Sequence, residues 1–117
     1  MKRPFIYIIG MVLCCFTAQN MQAVTFSDST VVYTKAMADS AYAEADYTTS
    51  VYIYEQLLAA NGESAAIYYN LGGAYYKMDE IARSILNYER ALLMDPSNTD
   101  AKFNLELMRA GIQDRIE

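Results

Sequence analysis

The sequence predicts an all-α fold in which helix hairpins repeat and stack as a solenoid, about two and a half units ending in a capping helix. Three observations predict it. Beyond the first stretch the only proline is Pro96, and Ala, Leu, Met, Glu and Tyr dominate, which favours helices over strands. Turn chemistry is confined to Phe26-Ser27-Asp28-Ser29, Asn61-Gly62-Glu63-Ser64 and Asp95-Pro96-Ser97-Asn98. Asn61 and Asp95 are 34 residues apart, and the same interval relates Ser50 to Ser84, Tyr54-Glu55 to Tyr88-Glu89, Leu58 to Leu92 and Asn70-Leu71 to Asn104-Leu105. Independent matches in one register mark an internal repeat.

The chain opens with a different kind of segment. Lys2 and Arg3 precede an uncharged apolar run from Phe5 to Ala18, after which Gln19, Asn20 and Gln22 restore polarity and Ala23 offers a cleavage point. Basic, apolar and polar segments in that order predict a secretion signal over residues 1–23, cleaved after Ala23 or Ala18. The run is shorter than the roughly 20 residues of a bilayer span, so retention as an anchor is the lesser alternative. Leu13 and Cys14 stand before the two cysteines where a lipoprotein signal wants a small residue. The expected location is the periplasm, or the periplasmic side of the inner membrane if the segment is retained.

Residues 24–117 are then one helical domain. Repeat 1 covers about 31–64, repeat 2 about 65–98 and the capping helix about 99–113. In repeat 2, the first helix is expected over 65–77 and the second over 81–94, joined by Met78-Asp79-Glu80. Ile67, Leu71, Ala74 and Tyr75 share one face of the first helix, and Ile81, Ile85, Tyr88 and Leu92 one face of the second. Small Gly72 and Ala91 allow the pair to approach closely, and Pro96 blocks continuation of the second helix. Repeat 1 follows the same plan with the turn Glu44-Ala45-Asp46, and the last helix, from about Asp100 to Gly111, resembles only the first half of a unit.

These residues resemble the tetratricopeptide repeat. Tyr68, Leu71-Gly72, Tyr75, Tyr88, Ala91 and Pro96 fall at that family's intervals in repeat 2, with Ser84 where alanine is usual. Repeat 1 departs further, with Met37-Ala38 for Leu-Gly, Leu57 for the later alanine and Gly62 for the proline. A narrower resemblance joins the leader, the string Tyr69-Asn70-Leu71-Gly72-Gly73-Ala74-Tyr75-Tyr76-Lys77 and the segments Asp100 to Glu106 and Asp114 to Glu117. Together they resemble the exported BatE-type repeat proteins of bacterial aerotolerance (Bat) operons. Those relatives usually continue into a further membrane-linked region, so this chain is expected to be a short form or a piece of a longer one.

The resemblance implies a concave groove lined by the first helix of each unit. Carried over residue by residue, it assigns partner binding to Lys35, Asp39, Tyr42, Tyr69, Asn70, Gly73, Tyr76, Lys77, Phe103, Asn104 and Leu107. Asn70 and Asn104, one repeat apart, are expected to project in parallel, and an amide both donates to and accepts from a peptide backbone. Equally, they bond within the fold and set the angle between units. Lys35 and Asn70 occupy two positions of a carboxylate clamp found in some relatives. Asp39, Asp100 and Asn104 stand where its remaining cations and amide belong, which argues against it.

Composition excludes much else. The chain has no histidine, and its two cysteines, Cys14 and Cys15, lie in the leader. No His/Cys metal site, no disulfide and no histidine-based hydrolase chemistry is expected beyond it. Without Lys2 and Arg3, seven basic residues face fourteen acidic ones, so nucleic acid is an unfavoured partner. The expectation is a non-enzymatic module without cofactor, metal or small-molecule substrate, whose partner is a peptide segment or another envelope or membrane-anchored subunit. The alternative is a self-assembling scaffold, with Phe103, Leu105, Leu107 and Met108 of the last helix exposed to a second copy.

Overall fold

The computed structural model describes residues 31–116. The expected leader, both cysteines and the Phe26–Ser29 turn lie outside the described residues. Five helices follow one another: α1 (Lys35–Ala43), α2 (Tyr47–Asn61), α3 (Ala65–Lys77), α4 (Ile81–Met94) and α5 (Thr99–Ile116). Each packs against the next, as in a solenoid.

Local chemistry marks each boundary. Thr34, Asp46 and Ser64 accept the amides of Met37, Thr49 and Ile67, and Asn98 accepts that of Ala101 at 2.9 Å. These side chains satisfy amides that a helix start leaves without partners. The two turns within repeats are copies of each other. Ala45 and Asp79 both adopt left-handed backbone, with φ of 61° and 59°. The Asp46 amide returns to the Ala41 carbonyl and the Glu80 amide to the Tyr75 carbonyl, at 2.9 Å each, which is the Schellman closure. The connection between repeats is not copied: Gly62 reverses the chain with φ of 87° where its counterpart is Pro96.

Side-chain bonds repeat at 34 residues as well. The Ser50 hydroxyl donates to the Ala38 carbonyl at 2.9 Å, and the Ser84 hydroxyl donates to the Gly72 carbonyl at 2.6 Å. Both serines are fully buried. Ser84, a departure from the alanine usual in the repeat, therefore ties α4 to α3 as Ser50 ties α2 to α1.

The core runs through the stack. Val51, Ile53, Tyr54 and Leu57 of α2 meet Tyr68, Leu71, Ala74 and Tyr75 of α3, and a second cluster joins Tyr88 to Ala101, Leu105 and Met108. Ile67, Ile81, Ile85 and Leu92, expected on the buried faces, are half-buried and pack at the edges of these clusters. Gly72 explains how closely α3 and α4 approach: the Tyr88 ring lies where a Cβ at position 72 would be, 2.8 Å from it.

Three expectations are corrected. Repeat 1 begins its first helix at Lys35, because Thr34 caps it there. The last helix runs on to Ile116 instead of ending near Gly111, since no residue between them interrupts it. Leu105 and Met108 are buried, not exposed, because α5 lays that face against α4 and the Tyr88 ring. The opposite face of α5 is polar. Lys102, Glu106 and Arg109 stand one repeat after Tyr68, Gly72 and Tyr75, the residues through which α3 packs on α4. All three are exposed, and Arg109 pairs with Glu89. Where a partner helix would pack, α5 presents charge, as a capping helix does. Among the described residues no helix is long and apolar enough to cross a membrane.

Candidate functional site

A groove of about 840 Å³ opens along the face shared by α1, α3 and α5. Its position follows from the stacking: the first helix of each hairpin points one face away from its partner, and three such faces line up. Of the residues expected to bind a partner, Lys35, Asp39, Tyr42, Tyr69, Asn70, Gly73, Tyr76, Lys77, Asn104 and Leu107 all line this groove. Phe103 does not. It is 61% exposed, because its counterpart Tyr69 is drawn in by the Tyr88 ring, at 5.7 Å between centroids. No helix among the described residues offers Phe103 the same support.

Tyrosine hydroxyls and amides form the floor. The Asn104 amide donates to the Tyr88 hydroxyl at 3.3 Å. One repeat earlier, the Asn70 amide stands beside the Tyr54 hydroxyl. The two amides thus recur in register, each next to the tyrosine of the preceding helix. The Tyr54 hydroxyl donates to Asp39, which also accepts from Lys35 at 2.8 Å. Glycine replaces Asp39 one repeat on, at Gly73, and leaves a notch between the hydroxyls of Tyr42 and Tyr88, each 3.6 Å from where its Cβ would be. Tyr42 is braced edge-on by Tyr47 at 5.2 Å.

Ionisation follows this architecture. Burial pushes the Tyr54 and Tyr88 hydroxyls up, Tyr88 to about 12, and the Asp39 carboxylate raises Tyr54 further. Tyr75, on the far face of α3, is raised to about 12 by burial and by its hydrogen bond to Glu55. Partial burial also pushes the Asp39 carboxyl up, but the hydrogen bonds from Lys35 and Tyr54 and the Lys35 charge outweigh it and hold it below the usual carboxylate value.

The three tyrosines predict an alkaline transition. A folded-state pKa above the unfolded value of about 10 means that the stability of keeping these rings neutral is fully present below pH 10. It is lost as the pH rises toward about 12. Helical circular dichroism and tyrosinate absorbance are therefore expected to change together across that window. Full ionisation near pH 10 with the helical signal intact would contradict the buried arrangement.

Sequence reasoning missed several lining residues. Tyr54 and Tyr88 were assigned to the core, and their rings are buried, but their hydroxyl ends reach the groove floor. Ile112 and Arg115 line it through the α5 extension. The signal for that extension was the absence of proline or a turn cluster between Gly111 and Ile116. Ile81 and Met108 line the groove from the edges of the core and carry no distinguishing sequence mark.

The hairpin of α3 and α4 decides the repeat type. Residues 65–98 match the tetratricopeptide repeat model. The tetratricopeptide repeat is in general a non-catalytic module that mediates binding between proteins. A 68-residue stretch, 58% of this chain, is 29% identical to sperm-associated antigen 1 of Rattus norvegicus and spans 8% of that protein's length. The five-helix architecture and the matched repeat together make the described residues a tetratricopeptide-type helical solenoid.

Proposed function

We propose that the groove of α1, α3 and α5 holds an extended segment of a partner protein. The observation that carries this is the register of Asn70 and Asn104 beside paired tyrosine hydroxyls on an open floor. Asn104 spends one donor on Tyr88 and keeps an acceptor and a second donor, enough to meet one peptide unit of an extended strand. The exposed face of Tyr76 supplies apolar contact with a polar tip, the kind of surface that anchors interfaces.

The leader of basic, apolar and polar segments supports an exported location, with partners among envelope or membrane-anchored subunits. The resemblance to exported repeat proteins of Bat operons supports placing the chain in such a system.

The test is site-specific photo-crosslinking in cells that express the chain. A crosslinker at Tyr76, in the groove, is expected to capture a partner, and one at Leu93, 83% exposed on α4 and not among the lining residues, is not. Equal capture from both positions, or capture from Leu93 alone, would remove the groove from the proposal. Recovery of the adduct in a cytoplasmic fraction would remove the exported location.

A further inference from the structure

Charge is distributed unevenly between the groove and the rest of the chain. The chain carries nine basic and fourteen acidic residues, yet the groove is lined by Lys35, Lys77 and Arg115 against Asp39 alone. Lys35 is neutralised by Asp39 at 2.8 Å. Lys77 and Arg115 form no ion pair with the described residues, whereas Arg83 and Arg109 on other surfaces are each matched by a glutamate. Lys77 stands in the last turn of α3 and Arg115 in the last turn of α5. The uncompensated charge therefore lies toward one edge of the groove, where the first helices end. Leu107 and Ile112 line the groove from the same helix as Arg115.

We propose that the segment held in the groove is acidic, with carboxylates for Lys77 and Arg115 beside an apolar side chain for Leu107 and Ile112. This rests on the groove being a peptide site, as proposed above. A positive strip on a protein of net charge −5 steers anionic ligands toward itself and leaves the remaining surface to repel them. Neither cation occupies a position of the carboxylate clamp of related domains, which would fall at Lys35, Asp39, Asn70, Asp100 and Asn104. The recognition is of side-chain carboxylates along an extended segment. Paired leucine and isoleucine contacts distinguish such a segment from a bare polyanion.

Three short fluorescein-labelled peptides test it by fluorescence anisotropy on the full chain. They share a leucine-containing frame and differ only in carrying glutamate, glutamine or lysine at two flanking positions. The glutamate peptide is expected to bind about five- to tenfold more tightly than the glutamine peptide at low salt. That ratio is expected to fall toward one in 1 M salt, where the Debye length is about 3 Å. Lys77→Gln with Arg115→Gln is expected to abolish the ratio, while Arg83→Gln with Arg90→Gln, away from the groove, preserves it. Equal binding of the glutamate and glutamine peptides would overturn the acidic preference and leave the peptide site standing. Tighter binding of the lysine peptide would overturn the preference in the same way. Failure of all three to bind the folded protein would overturn the peptide site itself. A single-stranded oligonucleotide that displaced the glutamate peptide at equal concentration would also overturn the proposal, since the cations would then select charge alone.

Discussion

Leu71→Ala is expected to cost about 3–5 kcal/mol of folding free energy, the range for deleting a buried leucine without relaxation of its surroundings. Leu71 is 1% exposed and belongs to the cluster that joins α2, α3 and α4, so its side chain holds two hairpins together at once. A domain of this size has a total stability of only about 5–10 kcal/mol, and the loss removes much of it. Urea titration followed by circular dichroism is expected to show a midpoint lowered in proportion, with the slope unchanged. A variant within about 1 kcal/mol of the parent would mean that the two hairpins do not share a core.

Gly72→Ala is expected to destabilise although alanine is the better helix former. In an open helix interior the change gains about 0.5–1 kcal/mol. At position 72 the new Cβ meets the Tyr88 ring at 2.8–2.9 Å, closer than carbon atoms approach. That ring is 4% exposed, tied by Asn104 and packed by Tyr69, so it has no free direction to yield. Overpacking of this kind costs about 1–3 kcal/mol, and a net loss of about 1–2 kcal/mol remains. Gly111→Ala is the control, since nothing lies within 4 Å of its added Cβ and α5 continues past it. It is expected to stabilise. Thermal unfolding of the two variants should therefore move in opposite directions, and a stabilised Gly72→Ala would refute the close approach of α3 and α4. Gly72→Ala also displaces Tyr88 from Asn104, so weaker peptide binding is expected to accompany the lost stability.

The second repeat was legible almost residue by residue. Helix bounds at 65–77 and 81–94 follow from caps and breakers that act within a few residues: Ser64 at one start, the Met78-Asp79-Glu80 turn between, and Pro96 beyond. The first repeat was legible only through the 34-residue register, because Ala38 and Gly62 replace its signature residues. The register held in the fold because what it preserves is contact geometry. Ser50 and Ser84 make the same bond, and Ala45 and Asp79 adopt the same left-handed turn.

Most of the groove was legible for the same reason, since one repeat shifted by 34 residues brings equivalent side chains into line. What failed was the environment of the ends. Phe103 was placed by analogy with Tyr69, but a side chain is drawn inward only if a neighbour covers it, and α4 supplies Tyr88 to Tyr69 alone. Leu105 and Met108 looked exposed because half a unit has no partner within itself, and α4 covers them from the preceding unit. Tyr54 and Tyr88 looked like core because a one-dimensional pattern assigns a whole residue inside or outside, whereas a long ring is buried at its base and meets solvent at its tip.

The sequence by itself determined that this chain is helical, where its hairpins turn and that its units recur every 34 residues, because these depend on forces within a few residues and on periodic burial. Only the tertiary structure decided that α5 closes the stack with a charged face, that Gly72 makes room for Tyr88, and that Lys77 and Arg115 come to one edge of a groove. Those are properties of distances between residues far apart in the chain, and no local pattern encodes a distance.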